Sequence, residues 1–274
     1  KSFMAKYVEA VNTVGIHAFN GYHCAIDLGY SLNTDTIFWP GGDGFQLCMN
    51  CSTVEDRTVD GIVTTYDYAA GVLTCAEHGG THVDAPFHFS KDGSKVDEIN
   101  LKDLIAPCRV VDIAEKCKSN RDYRLTPEDI SHHEATVGSI LPPGCIVIIR
   151  SGWSRYYTLG AQSYLGYDEK TQGPYNSAVS TLSFPGIGSQ AAELLVERRV
   201  AGVGIDTASI DAGSSKDFMT HRILLGAGIY GIENLNGNVN QLPLEGFTLM
   251  VMPVKLTGGS GAPARVIAVC SQQE

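Results

Sequence analysis

The chain of 274 residues is 43% hydrophobic, enough to bury one large core or two modest ones. No apolar run approaches the roughly eighteen residues that suggest a membrane span, so no membrane partner is expected. Its formal charge of −10, with twenty Lys and Arg scattered along the chain, sets nucleic acid aside, because phosphate contacts demand clustered basic residues.

The spacing of Phe3, Met4, Tyr7, Val8 and Val11 predicts an amphipathic helix over residues 1–14. Such a helix at a terminus must dock on its own core or on a partner subunit. Residues 1–24 are therefore expected to be a helix and lead-in that make an oligomer contact, and residues 25–274 the main domain. Between residues 25 and 89, short apolar stretches split by turn clusters such as Asn33-Thr34-Asp35 predict several antiparallel strands. RVVDI (109–113) reads as a strand. TPEDISHHEATVGSI (126–140) reads as a helix with Thr126 as N-cap and Pro127 in its first turn. His132, His133 and Glu134 fall mid-helix on a face expected to be solvated. PPGCIVIIR (142–150) follows as a buried strand.

Residues 152–183 are rich in Tyr, Gly and Ser and predict a long loop lining a pocket. GSQAAELLVERR (188–199) is a helix with Ser189 as its expected cap, leading into the strand VAGVGIDT (200–207). HRILLGAG (221–228) is a short helix, and IYGIENL (229–235), GFTLMVMPVKL (246–256) and RVIAV (265–269) are strands. No repeat or linker interrupts the series, so one α/β domain is expected. Gly202 and Gly204 lack the third glycine of a dinucleotide fingerprint, and no G-x-S-x-G elbow is present to suggest a serine hydrolase.

Eight cysteines and the acceptor triplet Asn50-Cys51-Ser52 point toward an oxidising compartment. Cys108 and Cys145, however, sit in apolar runs where a buried free thiol is the plainer reading. Cys48-x-x-Cys51 fits a disulfide, a redox pair or half a metal site. Cytoplasmic and secreted locations both stay open.

The densest chemistry lies at residues 75–89, CAEHGGTHVDAPFHF, where three of the eight histidines and an aspartate fall within eleven residues. His78, His82, Asp84 and His88 share one parity, so an extended backbone would project all four to one side. Gly79 and Gly80 disfavour a helix and let the backbone approach a bound ion. Imidazole and carboxylate donors suit zinc, manganese or iron(II) better than calcium or magnesium. Singly, each histidine fits a solvated loop or a satisfied core position; together, the four groups form a metal-site pattern.

HGGTHVDAPFHF also resembles the H-x-G-T-H-x-D-x-P-x-H-F signature of the cyclase family of metal-dependent hydrolases, which includes bacterial kynurenine formamidases and isatin hydrolases. The resemblance continues through DLGYSLN, RSGWS, FPGIGSQAAELL, GIDTASID, the pair His221 and Glu233, and VMPVKLTGGSGAPARVIAV. It implies a single domain with a mixed, largely antiparallel β-barrel-like core flanked by helices, of the swivelling β/β/α type. It further implies His78, His82 and Asp84 as metal ligands, His221 and Glu233 as ligands of a second ion, and His88 as the acid/base. A competing reading makes His88 a third histidine ligand. Zn or Mn is the expected metal, with one or two ions per chain.

The activity so implied is hydrolysis of the C–N bond of a small aromatic amide, like N-formyl-kynurenine or isatin, through a metal-bound hydroxide. Phe38, Trp39 and Trp153 match aromatic positions that would wall the substrate pocket, although core packing suits either Trp equally well. Asp206 and Asp211 are expected to be structural or to support the ligands from behind. Family members form dimers or larger assemblies, so a homodimer or homotetramer is expected. The rival reading is a retired family member that binds a metabolite or protein partner with the same shell.

Overall fold

The computed structural model describes residues 13–18, 21–42, 44–57, 63–167 and 181–271. The helix expected over residues 1–14 therefore lies outside the described residues, save that residues 13 and 14 open a strand. The first elements are β1 (Thr13–Ala18), β2 (Gly21–Asp27), β3 (Gln46–Arg57), β4 (Val63–Thr74) and β5 (His82–Asp84). Next come α1 (Leu101–Leu104), β6 (Ile105–Asp112), α2 (Ala114–Ser119), β7 (Arg124–Leu125), α3 (Pro127–Val137) and β8 (Ile146–Arg150). Then follow α4 (Ala161–Leu165), β9 (Gly186–Ile187), α5 (Ser189–Glu197), β10 (Gly202–Ile205) and α6 (Met219–Gly226). The chain closes with β11 (Tyr230–Glu233), β12 (Phe247–Pro253) and β13 (Gly261–Ser271).

Strands β13, β12, β6, β8, β10, β11 and β5 close into a seven-strand ring. Closure depends on the length of β13. Its first residues pair with β5 and its last with β2, so one edge of this strand serves two neighbours. The run β6–β8–β10–β11 is parallel and the pairings through β12, β13 and β5 are antiparallel, giving the mixed barrel expected. β8 shows why the sheet holds its register. Ile146 and Ile148 face the barrel interior with Val83, Ile232 and Val251, while Val147 and Ile149 face the helix layer with Ile130, Ala192 and Leu224. Burying each such side chain contributes roughly 1.5–3 kcal/mol, and a one-residue slip would exchange the two sets.

Helix α3 begins as its sequence predicts. Thr126 Oγ1 accepts from the Asp129 amide, the Asp129 carboxylate accepts from the Thr126 amide, and Gly138 ends the helix at φ 74°. The expectation for its middle was wrong for two of three residues. His132 is exposed, but His133 and Glu134 are buried. Arg198 donates to both Glu134 oxygens at 2.7 and 2.9 Å, and the Leu141 amide adds a third hydrogen bond. A charge can occupy that face because its partner comes from the end of α5. Ser189 is likewise the first helical residue rather than the cap, a position Gly188 takes without a side-chain bond.

The loop expected over 152–183 is also more ordered than its composition suggests. Trp153–Leu159 forms a 3₁₀ helix and α4 follows, pinned by the Trp153 indole N–H donating to the Tyr164 carbonyl at 2.7 Å. Residues 168–180 lie outside the described residues. Among the described residues, strands β3 and β4 pair with each other and with no other strand, forming a long hairpin on which Leu47, Met49, Tyr66, Tyr68 and Val72 are exposed. Cys48 and Cys51 both lie on β3, three residues apart, and hence face opposite sides of the ribbon. That geometry rules out a disulfide between them or a shared ion; both thiols are free, as are the other six. No helix among the described residues is long and apolar enough to cross a membrane.

Candidate metal centre

The site grows from the short strand β5. Val83 points into the barrel core, so the alternation of the strand turns His82 and Asp84 the other way. Glu233 of β11 lies directly opposite His82 in the ladder and shares its face. The four-residue parity expected along the signature therefore holds only for His82 and Asp84, because the strand is only three residues long. His78 enters through the turn at Gly79 and Gly80, the latter at φ 60°, and His88 enters on a 3₁₀ turn begun by Pro86. His221 comes from the first turn of α6, whose preceding residue, Phe218, holds the left-handed conformation at φ 50°. A non-glycine residue there is strained, and the strain sits at the rim of the site.

These side chains converge. His78 Nδ1 lies 2.6 Å from Asp84 Oδ1, and His82 Nε2 lies 3.2 Å from Asp84 Oδ1 and 3.5 Å from Glu233 Oε2. His221 Nε2 is 3.3 Å from both Asp84 Oδ2 and Glu233 Oε1. The His88 ring stacks on His78 with centroids 3.9 Å apart. Ligand atoms of His78, His82 and Asp84 all lie within 4.8 Å of one another, and so do those of Asp84, His88 and His221. Asp84 belongs to both groups.

Backbone and side chains hold the imidazoles from behind. His82 Nδ1 bonds the Gly80 carbonyl at 2.9 Å, and His221 Nδ1 bonds Asp211 Oδ2 at 2.7 Å. Asp211 also accepts from the backbone amides of Thr220 and His221, so it pins the start of α6 and the ring together. Asp206 is structural: its carboxylate accepts from the amides of Ser151 and Ser154 and from the Ser151 hydroxyl.

The electrostatics favour positive charge among these groups. Burial opposes charge on Asp84, yet His82, His221 and His78 hold it well below the usual carboxylate range. Burial and the neighbouring Asp84 push Glu233 up. Burial also disfavours charge on His82, but Asp84 and Glu233 outweigh it and raise the pKa to about 9. His221 is likewise raised against its burial by Asp211, Asp84 and Glu233. His88 moves the other way, to about 4, through burial first and then the neighbouring imidazoles. Two buried atoms, His82 Nε2 and Asp84 Oδ2, make no hydrogen bond although each faces ligand-type atoms. Arg109 Nε, Asp122 Oδ1, His133 Nε2, Ser154 Oγ and Gln241 Oε1 are unpaired as well, but His82 Nε2 and Asp84 Oδ2 differ in lying within a nest of imidazole and carboxylate donors, which fits a divalent ion.

The cluster floors a cavity of about 310 Å³ whose walls include Phe38, Trp39, Phe89 and Phe218. Phe38 and Trp39 thus stand at the pocket as expected, but Trp153 does not. It is 1% exposed and packs in a separate cluster with Tyr164 and Phe184, because the 3₁₀ helix turns its ring inward. The sequence reading missed Phe89 and Phe218. Their signal was proximity, one residue after His88 and three before His221.

The class defined here is a closed mixed barrel whose buried imidazole–carboxylate cluster, beneath an aromatic cavity, could hold a metal ion. A family model described as putative cyclase matches residues 26–212, well over half of the chain. The chain is 31% identical over 210 residues to an isatin hydrolase of Roseibium aggregatum, covering 74% of this chain and 75% of that protein. It is 26% identical over 242 residues to a kynurenine formamidase of Bacillus cereus, covering 88% and 95%. The solved structure of an isatin hydrolase bound to the product analogue thioisatinate superposes with a TM-score of 0.72 at 26% identity, over 90% of this chain and 92% of that one. The chain belongs to the cyclase family.

Proposed function

We propose that this protein hydrolyses the C–N bond of a small aromatic amide, using one or two zinc or manganese ions held by His78, His82, Asp84, His221 and Glu233. The observation that carries this reading is the convergence of ligand atoms from His78, His82, Asp84, His88 and His221, within 4.8 Å of one another in two groups that share Asp84, under an aromatic-walled cavity. Relatives named isatin hydrolase and kynurenine formamidase support the substrate class.

A divalent ion bound there polarises a carbonyl oxygen and lowers the pKa of a coordinated water toward roughly 7. The protein's own groups do the rest. Phe38, Trp39, Phe89 and Phe218 sandwich the substrate ring and keep bulk water from the scissile bond. His88 is a neutral imidazole at pH 7, since its pKa is lowered to about 4, and so can take a proton from the attacking water. It then delivers that proton to the leaving nitrogen as the C–N bond breaks and the water oxygen stays on the carbonyl carbon. Asp211 keeps His221 in one orientation throughout.

The test is metal analysis of the purified protein, followed by an ultraviolet assay on N-formyl-kynurenine and on isatin. Stoichiometric metal with turnover of either substrate is expected. Metal-loaded protein inert to both, and to a panel of aryl amides and lactams, would favour a member that only binds a metabolite or protein partner.

A further inference from the structure

We infer that Glu77 and Ser260 are positioning residues for His78, forming a carboxylate–hydroxyl–imidazole chain that holds the ring with Nε2 protonated and Nδ1 turned to the ion. The inference rests on the metal reading above and adds two residues to it.

Ser260 Oγ lies 2.5 Å from Glu77 Oε2 and 2.8 Å from His78 Nε2. A serine hydroxyl carries one proton. A carboxylate only accepts, so that proton is committed to Glu77, and the Ser260 amide adds a second bond to the same oxygen at 3.0 Å. The hydroxyl oxygen can then only accept from His78, which makes Nε2 an N–H donor. That leaves Nδ1 as the ring atom facing Asp84, 2.6 Å from its Oδ1, and an ion bound beside Asp84 would displace any proton there and take the Nδ1 lone pair. Glu77 cannot do this directly, because its oxygen is 3.9 Å from Nε2. The serine is the necessary link.

The rest of the structure fixes the serine. Its carbonyl accepts from the Ala85 amide at 2.9 Å, and the next residue, Gly261, pairs with Asp84 across the β13–β5 ladder. A Cβ on Gly261 would fall 2.5 Å from His78 Cε1 and 2.5 Å from the Val83 carbonyl, so the ring packs against bare backbone. His78 lies outside β5 and gets no orientation from that strand. His82 and His221 are held through Nδ1 and offer Nε2; His78 is held through Nε2 and offers Nδ1.

The full chain, stripped with EDTA, is titrated with Zn²⁺ and with Mn²⁺ against a chelating dye. The panel is wild type, Ser260→Ala, Glu77→Gln and Ser260→Thr. Loss of an outer partner of this kind typically weakens binding about ten- to a hundred-fold, the expected result for Ser260→Ala and Glu77→Gln. Ser260→Thr, which keeps the hydroxyl, should bind close to wild type. Nitrogen-15 spectra of histidine-labelled, zinc-loaded wild type should show one imidazole protonated at Nε2 and ligated through Nδ1, a signature that weakens in Ser260→Ala. If Ser260→Ala fails to fold, Glu77→Gln, at the partly exposed end of the chain, decides alone. Unchanged affinity with an unchanged His78 signature overturns the inference while leaving the metal reading intact. Equal loss in Ser260→Thr and Ser260→Ala overturns it too, since bulk rather than the hydroxyl would then matter. Wild type that takes up neither ion removes the metal reading and this inference together.

Discussion

Glu233 sits directly across the β5–β11 ladder from His82, with its Oε2 3.5 Å from His82 Nε2. Opposed residues of an antiparallel pair share a face, and Asp84 two residues on shares it as well. Three of the acceptor groups are therefore set by backbone hydrogen bonding, while His78, His88 and His221 are delivered by turns and a helix start. The two kinds of placement should respond differently to mutation.

His82→Ala should remove metal and turnover together. His82 occupies the ladder position facing both Asp84 and Glu233, and no neighbouring side chain can replace its Nε2. Elemental analysis after dialysis checks it. A full metal complement in the variant would refute the ligand assignment.

His88→Ala should keep its metal and lose about a hundred- to ten-thousand-fold in rate, equivalent to roughly 3 to 5 kcal/mol of barrier. His88 stacks on His78 and lies within ligand distance of Asp84 and His221, so both proposed roles are geometrically open to it. Metal analysis beside single-turnover hydrolysis separates them. Metal-depleted protein makes His88 a ligand; a variant with full metal and near-normal rate makes the proposed proton path wrong.

Gly79→Ala should raise KM with metal content unchanged. A Cβ at this position would lie 2.0 Å from Phe38 Cε1, and the ring cannot stay over the backbone once that space is filled. Displacing a cavity wall weakens substrate binding rather than ion binding. Equal KM in wild type and variant would mean that Phe38 does not contact the substrate.

Acid should weaken the Glu134–Arg198 pair. Hydrogen bonds from Arg198 hold Glu134 below its ordinary 4.5, so the folded protein binds that proton less readily than the unfolded chain. Its contribution is present above about pH 4.5 and is lost as the pH falls through the lower folded value. Glu134→Gln should therefore be destabilised near neutrality, by about 1–3 kcal/mol for a buried charge-assisted bond, and should converge on wild type as acid is added. Thermal unfolding along a pH series reads this directly. A gap that stayed constant down to about pH 3 would show that the pair contributes nothing through its charge.

Local chemistry was legible in the sequence wherever its cause was local. The capping box of α3, the alternation of β8, and the pairing of His82 with Asp84 on one face of β5 all depend on spacings within one turn or one strand, and His78 and His88 lie close enough in sequence for short turns to bring them to the same place. His221 and Glu233 were legible because the family pattern carries them, and the ladder and α6 bring both to the same cluster. What only the tertiary structure decided depends on contacts between distant segments. Arg198 makes a buried position tolerable for Glu134, a charge that its helix alone would leave in water. Trp153 turns inward because the Tyr164 carbonyl receives its N–H, whereas Phe89 and Phe218, unremarked in sequence, turn toward the cavity. Ser260 reaches His78 across 182 positions of chain, and only closure of β13 onto β5 brings the two together. Spacing reports which groups a backbone can present, but a barrel must close before it determines what they face.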